Sequence, residues 1–453
     1  MSGIAGIESG GEINIVEKML AKIEYRGNGR ETILDRPGTT IGTIKNKIPQ
    51  NALAEKSGTV LNEDTFTDER LPFAVAWPVN DGLLLARDRI GARPLYYGYD
   101  SDGRMCFASE VKALMESTQD IHEFPPGAVY RTGQGIQILG DVEQQDVVPM
   151  TAHEAVNGLR ERLEDAVGSR VDREIMGSWL SGGIDSSVIV AILRPYVKKL
   201  HTFAAGLHGA PDVEYARLVA KHVKTEHHEV ILQPDDLPKV LDEVIYALES
   251  FDALLIRSSI MNYLVSQYAK DYVDVVFSGE GGDELFAGYE YLQTMPKDQL
   301  PGELVDITRR LHNTALQRVD RSASANGLVA HVPFVDGEVL DFALTIPSEY
   351  KLQPGTPPVE KWVLRKAASD LLPSSVLWRT KSKFWEGSGV EDILAQYADS
   401  KVSDDDFKNS RELPNGWILN SKEEYLYYRH FYEHFGHLPN LDWMGRTKGA
   451  PVQ

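Results

Sequence analysis

The stretch EIMGSWLSGGIDSSVIVAILRPY, residues 174–196, decides the fold. Its first seven residues, EIMGSWL (174–180), form a short apolar run of strand type. DSSVIVAILRPY (185–196) then carries the apolar density of an enclosed helix. Between them stands SGGIDSS (181–187), a tight turn from strand to helix. Glycines let the backbone turn sharply and approach a ligand. The amides and dipole at a helix start hold an anion. Hydroxyls of Ser181, Ser186 and Ser187 add donors. Asp185 would repel a bare phosphate, and a divalent cation resolves the conflict: Mg²⁺ is held by one or two carboxylates together with phosphate oxygens.

Outward from this turn, strands and helices alternate. LHTFAAGL (200–207), HEVIL (228–232) and VDVVFSG (273–279) read as strands. VEYARLVAKHV (213–223) and the stretches 235–249 and 257–270 read as helices, and the chain beyond about 285 reads as mainly helical. Apolar strands separated by crossover helices predict a parallel α/β sheet. Thr151 and Glu154 form a capping box that opens this region with a helix to about Arg170. Before the polar linker DVEQQDVVPM (141–150) the texture differs. IAGI (4–7), FAVAWPV (73–79), GLLLAR (82–87), LYYGY (95–99), MCFAS (105–109), AVYRT (128–132) and GIQIL (135–139) read as strands, with helices at 16–25 and 109–117. That pattern predicts an α+β layer domain over 1–150, followed by an α/β domain over 151–453.

A second glycine turn, SGEGGDE (278–284), follows the strand ending at Phe277. Ligands of parallel sheets bind at the carboxyl ends of strands, where both turns would meet. Asp283 is then a second carboxylate for the metal, and Glu280 a candidate general base. Other nucleotide signatures are missing: there is no G-x-x-x-x-G-K-[ST], and Gly133-Gln134-Gly135 lacks a third glycine. His227-His228-Glu229 lies on a strand whose neighbouring side chains point to opposite faces, a poor metal set. The aromatic run YLYYRHFYEHF (425–435) has helical spacing and reads as core or an oligomer face.

Composition limits the function classes. With 453 residues, 42% of them hydrophobic, the chain has enough apolar material for two or three packed domains. A net charge of −20 argues against a general nucleic-acid partner. No apolar run long enough to span a membrane occurs, and the first twenty residues lack a secretory pattern. Cys106, the single cysteine, cannot form an internal disulfide; a cytoplasmic location is the expectation, and a homodimer is a further one.

The two glycine turns together resemble the asparagine synthetase family. The first is similar to the turn of PP-loop ATP pyrophosphatases, and SGEGGDELFAGYEY (278–291) selects the asparagine synthetase branch. The resemblance continues through ARDRIGARPLYYG (86–98), FASEVKAL (107–114), Pro126-Gly127, Pro211 to Ala216, HVPFVD (331–336), EKWVLRKA (360–367) and WRTKSKF (378–384). It implies a front domain of the N-terminal nucleophile hydrolase type and a synthetase domain of the ATP-pyrophosphatase type. ATP would adenylate a carboxylate such as aspartate, and ammonia or another amine would displace AMP. Carried over by motif, Ser181, Gly182, Gly183, Asp185, Ser186 and Ser187 cradle pyrophosphate, and Asp185 and Asp283 hold Mg²⁺. Glu280 takes a proton from the attacking amine, and Lys381 steadies the pyrophosphate and the transition state. Lys361 and Arg257 are further phosphate-side residues, Gly206 meets the adenine, and Ser278 and Gly279 line the nucleotide.

Two departures from the family stand out. Glutamine-using members begin, after loss of Met, with a cysteine whose thiol attacks glutamine. Here that residue is Ser2, and 45–70 contains nothing like the family's glutamine-holding N-G-E-I-Y-N. Arg26-Gly27-Asn28 only echoes the family's R-G-P. A glutaminase remnant is therefore expected in the front domain. The family's paired threonines are here Leu254-Leu255, which shifts the acceptor pocket toward apolar character if those hydroxyls hold the acid. β-Lactam synthetases also lack the terminal cysteine, but they carry a tyrosine where Glu280 stands. A nucleotide-binding regulator is the remaining alternative, and it is disfavoured by the full set of synthetase residues.

Overall fold

The computed structural model describes residues 3–27, 31–44, 72–80, 82–379 and 391–447. Its centre is a five-stranded sheet, parallel throughout. In spatial order the strands are Glu226–Leu232, Lys199–Leu207, Ile175–Trp179, Val275–Phe277 and Val329–His331. The chain starts at the middle strand and winds outward to one edge. It then restarts on the other side of the middle strand. The order therefore switches between Ile175–Trp179 and Val275–Phe277, the place where α/β sheets open a crevice for ligands. Ser178 lies opposite Phe277 in the ladder, so both glycine turns leave from the same edge, side by side.

Each neighbouring element follows from local chemistry. The Thr151 hydroxyl accepts the Glu154 amide at 3.2 Å, and the Glu154 carboxylate accepts the Thr151 amide at 2.7 Å, closing the capping box of helix Ala152–Gly168. Helix Ile184–Leu193 buries every residue except Asp185, at its first turn. An enclosed helix whose one half-buried residue is a carboxylate in the first turn presents that group at the strand edge. No helix among the described residues is long and apolar enough to cross a membrane.

The front of the chain forms two antiparallel sheets. Six strands order as Glu31–Arg36, Thr39–Ile44, Gly3–Ile7, Met105–Ala108, Tyr96–Tyr99 and His122–Glu123. Four more order as Gly135–Ile138, Ala128–Arg131, Gly82–Arg87 and Ala74–Val79. All seven strands expected there are present. The hairpin Glu31–Arg36 with Thr39–Ile44, turning at Pro37-Gly38, and the short strand His122–Glu123 are additional. The helix expected at 109–117 is a single turn, Val111–Leu114. Past 285, a three-residue strand, Val329–His331, interrupts the expected helices. Its pairing partner lies about fifty residues earlier, so nothing local marks it. Cys106 is buried in the Met105–Ala108 strand.

Front and rear share one apolar core. Ile7, Val16 and Cys106 join a cluster with Ile245, Ile260 and Phe431. Beside it lies a buried ionic network. Glu110 ion-pairs with Arg26, Lys112 and, at 2.7 Å, Arg321, and it accepts the Tyr25 hydroxyl. Arg26 also reaches Asp320 at 2.6 Å, and Arg321 reaches Glu249 at 2.8 Å. Burial alone would raise the Glu110 pKa, but Arg321, Lys112 and Arg26 hold it well below the usual carboxylate range. Glu110→Ala would leave three buried cations short of an anion, a loss of about 3–5 kcal/mol. The expected readout is a clear fall in thermal midpoint; an unchanged midpoint would show that the network contributes no net stability.

Candidate active site

In the first turn the hydroxyls organise the backbone. Ser181 Oγ lies 3.1 Å from Ser186 Oγ, and the Ser181 amide donates to Ser186 Oγ at 3.2 Å. Ser187 Oγ donates to the Gly183 carbonyl at 2.7 Å. Gly183 is the N-cap of helix Ile184–Leu193, and no side chain caps that helix, so its first amides face the crevice with the dipole's positive end. Gly206 is buried near the carboxyl end of the neighbouring strand, opposite Ile231.

The second turn closes against the first with no room to spare. A Cβ on Gly279 would stand 2.6 Å from the Ser186 amide nitrogen and 2.8 Å from the Asp185 carbonyl carbon. A Cβ on Gly282 would stand 2.5 Å from Asp185 Oδ1. Only glycine allows the turns to touch backbone to backbone. Ser278 is buried, and its amide donates to the His331 carbonyl at 2.8 Å, tying the turn to the last strand.

Asp185 and Asp283 meet on one cation. Lys361 Nζ lies 2.5 Å from Asp283 Oδ1 and also ion-pairs with Asp185 Oδ2. Lys361 is buried, with a left-handed backbone (φ +54°), and its amide donates to the Phe286 carbonyl at 3.0 Å. Burial alone would lower its pKa, but the two carboxylates hold it charged, well above the usual lysine value. Two carboxylates converging beside hydroxyls and helix amides fit a divalent cation shared with phosphate oxygens.

Glu280 faces Arg318, whose Nη2 lies 2.7 Å from Glu280 Oε1. Arg318 Nη1 donates to Ser258 Oγ at 2.8 Å, and Ser258 Oγ in turn bonds to the Leu254 carbonyl at 3.0 Å. The base candidate is thereby linked to the helix start that carries Leu254-Leu255. Leu255 is buried and Leu254 half-buried, and the Asp252 carboxylate accepts the Leu255 amide at 2.8 Å. Next to Asp283, burial and the Asp283 charge push the Glu284 carboxyl up to about 7, with the Tyr289 hydroxyl donating to it.

Arg257 is set differently from a plain phosphate ligand. Its Nε donates to both oxygens of buried Glu423, at 2.8 and 3.0 Å, and Glu423 also accepts the Tyr427 hydroxyl at 2.7 Å. Ser2, the stretch 45–70 and Lys381 lie outside the described residues. Arg379, two residues before Lys381, ion-pairs with Asp212 at 2.5 Å and stacks 4.1 Å from the Tyr215 ring; its Nη1 approaches the Gly182 carbonyl at 3.4 Å. Arg318, Arg379 and Glu423 are absent from the sequence-derived set. Each is a charge inside a helix or beside a linker, which on sequence alone reads as solvent-facing.

The family described as Asparagine synthase matches residues 158–305 and 295–444, and Glutamine amidotransferase domain matches 67–132. The chain is 38% identical over 376 residues to glutamine-hydrolysing asparagine synthetase 2 of Arabidopsis thaliana, covering 78% of this chain and 64% of that protein. It is 37% identical over 391 residues to glutamine-hydrolysing asparagine synthetase B of Escherichia coli (strain K12), covering 81% and 70%. Among solved structures, NMN synthetase from Francisella tularensis aligns at 15% identity and a TM-score of 0.28, over 65% of this chain and 98% of its own. With glycine turns that interlock at the switch point of a parallel sheet, and with a family match running through most of that region, the chain belongs to the asparagine synthase family.

Proposed function

We propose that this chain is an ATP-dependent carbon–nitrogen ligase that adenylates a carboxylate, releases pyrophosphate, and joins ammonia or another amine to the activated acyl group. The observation that carries this reading is the convergence of Asp185 and Asp283, from separate turns, on Lys361. We assign residues 1–150 to a degenerate glutamine amidotransferase domain of N-terminal nucleophile hydrolase type, and 151–453 to an ATP-pyrophosphatase synthetase domain.

The chemistry follows from charge. A carboxylate is a poor acylating agent; its oxygen attacks the α-phosphorus of ATP, the bond to the β-phosphate oxygen breaks, and pyrophosphate leaves. Ser181, Ser186, Ser187 and the amides of Gly182 and Gly183 hold the departing group. Asp185 and Asp283 would hold Mg²⁺, which offsets phosphate charge. Lys361, with Lys381 and Arg257 as further cations, stabilises the charge that develops on pyrophosphate. Gly206, Ser278 and Gly279 shape the nucleotide seat.

The amine then adds to the acyl carbon, where its nitrogen becomes cationic and strongly acidic; the acyl carbon–oxygen bond to the adenylate breaks and AMP leaves with that electron pair. A carboxylate suffices to remove that proton, so Glu280, held in place by its ion pair with Arg318, serves as base. Arg318 also offers a cation for an acid that bears a second carboxylate, which favours aspartate or a close relative over a wholly apolar acid.

The test is pyrophosphate release over a panel of carboxylic acids, with ammonia and glutamine supplied separately. Release that depends on aspartate or a related acid and on ammonia, but is not driven by glutamine, is the expected result. No nucleotide consumption with any acid would refute the reading. Glutamine-driven turnover abolished by Ser2→Ala would refute the degenerate front domain.

A further inference from the structure

The helix Lys422–Phe435 buries Leu426, Tyr427, Phe431 and Phe435, so part of the aromatic run 425–435 is core, while Tyr425 and Tyr428 are half-buried and Tyr432 is exposed. It leaves a different set on its outer side: His430, Glu433 and His434. Residues three and four apart share a helix face, so these three side chains stand together at the C-terminal end. Opposite them, on helix Leu241–Leu248, is Asp242. Its Oδ1 lies 3.0 Å from His430 Nδ1 and 3.0 Å from His434 Nε2. One ligating atom each from Asp242, His430 and Glu433 lies within 4.8 Å of the others.

We propose that Asp242, His430 and Glu433, with His434 beside them, form a binding site for a divalent transition metal of the zinc type. A single carboxylate oxygen shared by two imidazole nitrogens, with a second carboxylate alongside, is more than a hydrogen-bonded pair requires. The two 3.0 Å spacings from Asp242 suit zinc, whose imidazole and carboxylate ligands lie at about 2.0–2.2 Å and so about 3.0–3.5 Å from one another around a tetrahedron, and Glu433 stands within reach of the same centre. The donor type separates this site from the crevice. Imidazole favours zinc, cobalt or nickel, whereas the all-oxygen pair Asp185 and Asp283 suits magnesium.

The site bridges two helices that are distant in sequence. The helix it would anchor carries in its first turn Glu423, which holds Arg257. A metal at one end therefore braces the helix whose other end sets a candidate phosphate-side arginine. The ion is structural here, since its ligands lie outside the two glycine turns.

The full-length chain, stripped with chelator and dialysed against Co²⁺ or Zn²⁺, tests this. The expected result is one equivalent bound outside the magnesium crevice, with the visible absorption of low-symmetry cobalt, and a higher thermal midpoint when Zn²⁺ is added. Asp242→Asn, His430→Ala and His434→Ala should each weaken binding at least about tenfold and abolish the midpoint shift. Asp185→Asn should leave both unchanged. All four substitutions are at positions with solvent access, and circular dichroism verifies folding of each variant. Cobalt that binds without visible absorption, or with equal affinity to wild type and His430→Ala, would overturn the proposal.

Discussion

Asp185→Asn is expected to cut acid-dependent pyrophosphate release by at least about a hundredfold while leaving the protein folded. Asparagine keeps the volume that the Gly282 backbone accommodates, so the turns still interlock. Lys361 keeps Asp283 as an anionic partner at 2.5 Å, so its buried charge is not stranded. What is lost is one of two carboxylates available to a cation beside the phosphates. Release should therefore fall far more than the thermal midpoint, and raising Mg²⁺ should recover part of it. Activity within a few-fold of wild type would remove Asp185 from the metal site. A collapse of the midpoint would instead show that the residue serves the fold.

Glu280→Gln should separate the two half-reactions. The amide oxygen still accepts from Arg318, so the side chain stays in place, but it no longer takes a proton at neutral pH. Loss of a general base costs about 10²–10⁴ in rate. The expected pattern is one equivalent of pyrophosphate released on mixing with Mg²⁺, ATP and acid, followed by almost no amide. A rapid-quench time course that follows pyrophosphate and amide together reads both. Full amide formation in this variant would assign the proton to another group, and loss of the initial release would place Glu280 in the first step.

The parts of the molecule that were legible beforehand are those whose chemistry is local. SGGIDSS and SGEGGDE each concentrate glycines, hydroxyls and carboxylates within seven residues, directly after an apolar strand. That is enough to place both at strand ends and to expect them side by side. Lys361 was legible as a cation near phosphate but not as the bridge between Asp185 and Asp283, since it lies 176 residues from Asp185. Arg318 was invisible for a related reason. It sits among Leu316, Val319 and Ala323, and only the fold reveals that its guanidinium turns inward to Glu280. The Val329–His331 strand has three residues and no periodicity to detect. His430 and His434 were masked by the aromatics around them, which explain the helix's buried face alone.

The front part is tied into the rear by charge and by apolar packing. Arg26 and Glu110 are wired through buried ion pairs to Asp320 and Arg321 of the rear, and the apolar core is continuous across both. Removing the front would expose that core and strand those charges. The front part is therefore expected to be required for the rear crevice to stand, whatever chemistry it carries itself.

The proposed activity requires the two turns to act as one seat for a magnesium triphosphate. Calorimetric titration of a non-hydrolysable α,β-methylene ATP, with and without Mg²⁺, into wild type and the Asp185→Asn, Asp283→Asn double variant measures that directly. The predicted result is one site per chain in wild type, dependent on Mg²⁺ and lost in the double variant. Equal affinity in both proteins, or binding indifferent to Mg²⁺, would contradict it.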